Sequence, residues 1–305
     1  MIFSVEEIRK WREAIDASLL MQSEETIDNI VSKYPKTQRV WDKLRDDPFM
    51  TAQWDMSDYI AVTKMGYNAH GDIHAKVVTA NALKMLDLLL EAEVQPDIVR
   101  ATQETSGWGE LVESGDLDDA HLIVLLAGLL HDIGNQVNRS DHNLHSEILA
   151  IPILDNAITP IYLDERKRGI IRGFILHCIY THMESIPSYT LEASLVKIAD
   201  GTDMTKGRGR TPYEMGNVNI HCVSAMSIGE VKIAKGREKP IGITINMTNS
   251  AGVFQVEEIL YKKLTAGVAG KYIEISAQTV PEKQSIDERI VYKITVEKDK
   301  FVHTR

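Results

Sequence analysis

The sequence predicts an α+β protein: an all-helical first part followed by a small α+β unit of antiparallel strands with one helix. Three observations carry this. Apolar residues recur at helical spacing up to Met204, then alternate with period two between Ile241 and Val296. A cluster of Gly207, Gly209, Pro212, Gly216 and Asn217 punctuates the change. Charge changes there too. Met215 to Arg305 holds 13 basic and 10 acidic residues, a net of +3, which leaves 21 basic and 34 acidic before it, a net of −13. The border is placed near Tyr213 to Asn217, giving an N-terminal helical extension over 1–55, a main helical domain over 56–214 and a C-terminal α+β domain over 215–305.

Each element has its own signal. Val5 to Met21 places Ile8, Trp11, Ile15 and Leu19 at helical spacing. Ser23 to Asp55 reads as short helices and loops, and Ser57 to Lys64 as one more short helix. Ile73 to Glu91 is a strong helix, with a wide apolar face built from Val77, Val78, Leu83, Met85, Leu86, Leu89 and Leu90. Asp118 or Asp119 is expected to cap the next helix, which runs through Leu126 to His131 and stops near Gly134. Further helices read at Leu144 to Ala157, Asp164 to Met183 and Leu191 to Met204, with Pro152 expected to kink or restart the first of them. Val218 to Met226 and Glu230 to Ala234 read as one or two strands. Alternation marks strands at Ile241–Met247, Ile273–Ala277 and Ile290–Val296. Between them Val253, Val256, Ile259, Leu260 and Leu264 outline a helix, with Asn249 and Ser250 as caps.

Composition narrows the function. The chain has 305 residues, a formal net charge of −10 and two cysteines, Cys178 and Cys222. An acidic total argues against a duplex nucleic-acid binder, whose affinity rests on neutralising phosphates. Two cysteines build neither a disulfide framework nor a four-thiolate zinc site. The longest apolar run, Leu122 to Leu130, is about half the roughly 20 residues a membrane-spanning helix needs. The charged N-terminal stretch does not read as a signal peptide, so a cytoplasmic location is expected. Eight of ten histidines lie between His70 and His182.

The chemistry sits at helix ends. Leu126 to Asn135, Leu-Ala-Gly-Leu-Leu-His-Asp-Ile-Gly-Asn, ends an apolar helix in adjacent His131 and Asp132. A charged carboxylate there is costly unless something positive offsets it, and a divalent metal would do so. A satisfied histidine beside a helix-terminal acid is the plain alternative. His74 opens the strongest upstream helix, and Asp200 closes another in Ile198-Ala-Asp. Together with His74-Ala-Lys-Val-Val and Gly128-Leu-Leu-His-Asp-Ile-Gly, this spaced set resembles the HD-domain metal-dependent phosphohydrolase superfamily from about Met65 to Pro212. The resemblance implies an HD-type helical domain in which His74, His131, Asp132 and Asp200 hold a first metal. Some members bind a second ion, with the Asp of the pair bridging and two extra histidines completing it; His145 and His182 fit those places. His142 and His177 read either as outer-shell donors or phosphate ligands, or as surface or packing residues.

An oxygen–nitrogen ligand set without sulfur suits Mn, Fe, Ni, Co, Zn or Mg, as one or two ions. Metal-activated water attacking phosphorus needs no side-chain nucleophile, which suits a sequence with no nucleophile elbow or phosphate-loop motif. Asp132 and Asp203 are the catalytic candidates, Asp203 lying three residues beyond Asp200 on the same helical face. Lys206, Arg208 and Arg210, interleaved with glycines, read either as a phosphate clamp or as a solvated interdomain loop. Arg139 is a further phosphate candidate. The expected activity is a phosphomonoesterase or phosphodiesterase on a nucleotide or other small phosphorylated substrate. The alternatives are an HD-type nuclease on single-stranded nucleic acid and a non-enzymatic ligand-sensing or oligomerising protein. The C-terminal domain is expected to dimerise the chain or to act as a lid.

Overall fold

The structure, a computed structural model, describes residues 5–100, 115–204, 220–280, 293–297 and 300–304. Helix α1 (Val5–Val31) is followed by α2 (Pro35–Leu44) and α3 (Pro48–Asp58), the latter running into a π-helical turn at Tyr59–Lys64. Then come α4 (Asp72–Glu91), the single turn α5 (Asp97–Arg100), α6 (Leu117–Leu130), α7 (His142–Ile158), α8 (Glu165–Tyr180) and α9 (Leu191–Thr202). The second part holds α10 (Ile220–Met226), β1 (Ile228–Lys235), β2 (Ile241–Met247), β3 (Ile273–Thr279), β4 (Lys293–Glu297) and β5 (Lys300–Thr304).

Helix α6 is the axis of the bundle. Every residue from Asp119 to Leu130 is buried, as expected of a helix apolar on all sides. Its cap is Asp116, not Asp118 or Asp119. Asp116 accepts from the Asp119 amide while the Asp119 carboxylate accepts from the Asp116 amide, a reciprocal capping box. Asp118 instead binds α2, accepting from the amides of Lys36 and Thr37 at 2.8 and 3.0 Å. At the other end the Trp54 indole donates to the otherwise orphaned carbonyl of Leu129 at 3.0 Å. Where α4 crosses α6, a Cβ on Gly128 would sit 2.5 Å from Thr79 Oγ1 and 2.9 Å from Thr79 Cα. The missing side chain lets the two backbones close, bringing the end of α6 to the start of α4.

Two helices differ from expectation. Pro152 lies inside α7 without ending it. Ile220–Met226 is the helix α10, not a strand: a short apolar run cannot be assigned by periodicity alone, and Ser224 Oγ bonds back to Ile220 O one turn earlier.

The sheet has the order β1-β2-β3-β4-β5. Three pairings are antiparallel as expected, but β2 and β3 are parallel, with Ile241 opposite Ile273 and Ile245 opposite Ala277. A parallel pair requires a crossover. Here it is a chain of short helical turns: Ser250–Gly252, Val253–Gln255, a π-helical turn at Val256–Tyr261, Lys262–Thr265 and Val268–Tyr272. Val256, Leu260 and Leu264 are buried on it. The crossover also packs on α9, and one continuous apolar cluster runs from Ile27 to Ala277. The expected border near Tyr213 to Asn217 lies outside the described residues.

Candidate metal centre

Helix ends deliver the site. His74 stands in the first turn of α4, and His131 and Asp132 follow the last residue of α6. His142 opens α7, His182 follows α8, and Asp200 sits in the last turn of α9. All six are buried.

Their ring geometry is uniform. His131, His142 and His182 direct Nδ1 at the backbone carbonyls of Gly128, Arg139 and Ile179, at 2.8, 2.9 and 2.7 Å. His74 directs Nδ1 at Asp203 Oδ2, at 2.6 Å. Each Nδ1 therefore carries the proton, and each Nε2 presents a lone pair inward. These lone pairs meet in twos: His74 and His131 at 3.2 Å, His142 and His182 at 3.0 Å. Burial holds His131 neutral, its pKa pushed down to about 3 against the pull of Asp132. Burial lowers His182 as well, against its bond to Asp132. Two Nε2 atoms whose rings spend their N–H at Nδ1 cannot hydrogen-bond each other, and each pair is arranged to share a cation.

The carboxylates complete two groups. Asp200 Oδ1 lies 3.3 Å from His74 Nε2 and 4.0 Å from His131 Nε2. Asp132 is shared. Its Oδ2 lies 3.2 Å from His74 Nε2 and 3.5 Å from His131 Nε2, while its Oδ1 lies 3.2 Å from His142 Nε2 and 3.6 Å from His182 Nε2. Ligands about 2.1 Å from one ion stand about 3.0–3.4 Å apart in octahedral or tetrahedral arrangement, so most of these spacings fit ligation by a divalent ion. His74, His131 and Asp200 form one set and Asp132, His142 and His182 another, with the ligand atoms of each within 4.8 Å of one another. Burial opposes the charge of Asp132, yet its contacts in the cluster, His70 Nδ1 at 2.6 Å the shortest, hold its carboxyl well below the usual carboxylate range. Asp200 is likewise opposed by burial and held low chiefly by Lys263, then His74 and His131.

A cavity of about 270 Å³ opens on this cluster. Among its lining residues are His70, Asp132, Arg139, His142, His182 and Asp200. Arg139 donates from Nη1 to Asn135 Oδ1 at 3.0 Å and lies 3.2 Å from His142 Nε2.

The structure brings together His74, His131, Asp132, His182 and Asp200 of the residues expected as ligands. His145 is not among them; His142 takes its place. Both lie on the first turn of α7, but the Arg139 carbonyl turns the His142 ring toward Asp132, whereas His145 Nδ1 is buried with no hydrogen-bond partner. His177 is also away from the cavity. Its ring stacks on Tyr189 and its Nε2 accepts from the Tyr189 amide at 3.3 Å. Five residues from His182, it faces a different side of the chain. Asp203 lines the cavity, but one oxygen orients His74. Lys206, Arg208 and Arg210 lie outside the described residues.

Two residues escaped the sequence reading. His70 Nδ1 contacts Asp132 Oδ2 at 2.6 Å, and His70, His74 and Asp132 form a third candidate ligand group. The four-residue spacing from His74 was its signal. Lys263, from the crossover, reaches Asp200 Oδ2 at 2.6 Å, and nothing in the sequence marked it.

Comparison with known proteins agrees with this geometry. Residues 108–205 match the HD domain. The chain is 39% identical over 249 residues to an uncharacterized protein of Methanocaldococcus jannaschii, covering 82% of this chain and 92% of that one. The chain belongs to the HD-domain metal-dependent phosphohydrolase superfamily. No solved structure matches it. The HD match begins downstream of His74 and so does not cover the α4 candidate ligand. None of the described helices is long and apolar enough to cross a membrane.

Proposed function

We propose that this HD-domain protein is a metal-dependent phosphoric ester hydrolase acting on a small phosphorylated molecule of nucleotide size. The observation that carries the proposal is the pair of facing Nε2 contacts, each beside a carboxylate, with His142, His182, Asp132 and Asp200 lining one cavity. The donor set suits Mn, Fe, Ni, Co or Zn. Such ions, when bound, lower the pKa of water and neutralise charge on phosphoryl oxygens.

The chain's own residues do the rest. Asp132 offers one oxygen to each ligand group and so holds the two groups in register. Asp203 fixes the tautomer and ring plane of His74, the role a carboxylate behind a ligating histidine commonly has. Arg139 and Lys263 face the cavity with positive charge, and its modest volume favours a small substrate over a nucleic-acid strand.

The test is elemental analysis of purified protein, then a panel of phosphomonoesters, phosphodiesters and nucleotides with Mn, Ni, Co, Zn and Mg. Turnover that requires added metal and is insensitive to salt is expected. Inertness across the panel in metal-loaded protein would overturn the reading, and steep loss of turnover with salt would redirect it to nucleic acid.

A further inference from the structure

The crossover between β2 and β3 belongs to the C-terminal unit, yet one of its side chains ends at the metal centre. Lys263 is 5% exposed. Its Nζ donates to Asp200 Oδ2 at 2.6 Å and to the backbone carbonyl of His182 at 2.8 Å. Asp200 thereby divides its oxygens: Oδ1 faces His74 and His131, Oδ2 faces the ammonium. The approach is shaped for this. A Cβ on Gly201, next to Asp200, would sit 3.0 Å from Lys263 Cδ and 3.3 Å from Leu260 Cδ1, so a glycine there leaves the lysine stem its path over α9.

An ammonium has three donors, and two are used. Lys263 also lines the cavity, as does Arg139. These are the two Lys or Arg side chains in the described lining, facing the carboxylates of Asp132, Glu184, Asp200 and Asp203. Their placement is complementary. Arg139 stands beside His142, in one ligand group, and Lys263 beside Asp200, in the other. An anion seated over both groups has a cation at each end. Desolvating a lysine is expensive, and pairing with one carboxylate oxygen accounts for only one of its donors.

We propose that Lys263 is a substrate-phosphate ligand, supplied to the HD site by the C-terminal unit and donating its third N–H to a phosphoryl oxygen opposite Arg139. This rests on the hydrolase reading and gives the C-terminal unit a part in the site. Lysine serves as a point-charge phosphate donor, so the role depends on its charge more than on its shape.

The probe is inorganic phosphate, titrated calorimetrically into Mn-loaded full-length protein, with bound metal counted in the same samples. With Mn kept saturating so that the metal sites stay filled, Lys263→Met is expected to bind phosphate at least about tenfold more weakly, the loss of one charged hydrogen bond of roughly 1.5–3 kcal/mol. Lys263→Arg, which keeps the charge, is expected to recover most of the affinity. If Lys263→Met does not fold, Lys263→Gln against Lys263→Arg makes the same comparison. Phosphate affinity within twofold of wild type in the neutral variant, at full metal content, overturns the assignment and leaves the hydrolase reading standing. Wild-type protein that takes up no metal overturns both.

Discussion

Gly134 sets the distance between the His-Asp turn and α7, and adding one methyl there should dismantle half of the metal centre. A Cβ on residue 134 would lie 2.0 Å from His142 O, 2.5 Å from Ser146 N and 2.8 Å from Ser146 Oγ. Two of these are backbone atoms, so no rotamer change relieves them. The shortest is more than 1 Å inside the 3.4 Å at which ordinary contact begins, so the first turn of α7 must withdraw by about that much. The bond from the Gly134 amide to Ser146 Oγ, 2.8 Å, goes with it. Overpacking of this kind costs about 1–3 kcal/mol and a lost buried hydrogen bond about 1 more, so Gly134→Ala should lower Tm by roughly 3–6 °C. His142 opens the displaced turn. Its Nε2 leaves the 3.0–3.2 Å contacts with His182 and Asp132, and misplacement of about 1 Å at a reacting centre can cost about 100-fold in rate. Thermal melts with and without Mn, bound-ion counts and turnover measure the three effects. Gly173→Ala is the control, since nothing lies within 4 Å of its added Cβ; in the middle of α8 it should be neutral or stabilising. Wild-type Tm and undiminished ion binding in Gly134→Ala would refute the packing argument.

The other expectations are narrower. Asp132→Ala removes an oxygen from both ligand groups, so metal content and turnover should fall together, turnover by more than about 100-fold, since even outer-shell changes cost 10–100-fold; a variant that keeps its metal and its rate sinks the bridging assignment. Asp203→Asn should weaken metal binding by about 10–100-fold through loss of His74 orientation, read by titrating Mn into apo protein. His142→Ala should lower the number of bound ions while His145→Ala leaves it unchanged; the reverse pattern would return the ligand role to His145. Glu192 is buried in α9, one oxygen accepting from the Ile98 amide at 2.9 Å and the other without a partner, and burial raises its pKa to about 7. The folded state then binds a proton more tightly than the unfolded chain, so this stability is present below about pH 4.5 and lost as pH rises through 7, up to about 3 kcal/mol. Urea midpoints of Glu192→Gln against wild type should diverge in favour of the variant between pH 5 and pH 8, and parallel curves would disprove the shift.

Much of the ligand set was legible because each residue ends an apolar helix. His74, His131-Asp132 and Asp200 are polar groups at the tips of α4, α6 and α9, where hydrophobic periodicity stops and burial does not. The choice between His142 and His145 was not legible. Three residues apart in one turn, they are separated by the Arg139 carbonyl and by the close approach of Gly134, both tertiary facts. The parallel pairing of β2 and β3 was hidden for a similar reason. Alternation in Ile241–Met247 and Ile273–Thr279 states which face is buried, and both orientations bury the same face. Only the crossover between them, 250–272, decides, and its broken helical turns read as a single helix. Asp116 was passed over as a cap because two acids follow closely, and the first of them, Asp118, is used to hold α2.

The crossover also changes what the two halves of the chain mean. The changes of charge and periodicity that suggest a border are real at the level of composition. Side chains and backbone nevertheless bind the halves where the site is built. Lys197 of α9 donates to the carbonyls of Ile186 and Ala266, the Ser188 amide also donates to Ala266, and Ser194 Oγ accepts from the Ala269 amide at 3.0 Å. Gly267 fits only because its missing Cβ would fall 2.3 Å from Ser194 Oγ and 2.4 Å from Ser188 Oγ. Each bond lands on α9 or on the loop leading into it, and α9 carries Asp200. A helix that must present a buried carboxylate to a metal needs its rotation about its own axis fixed, and apolar packing alone fixes rotation poorly. Polar bonds from the crossover to Ser194, Lys197 and Asp200 do so at successive turns. On this argument the sheet is a brace for the ligand helix, and the acidic and basic halves act as one unit around the metal centre.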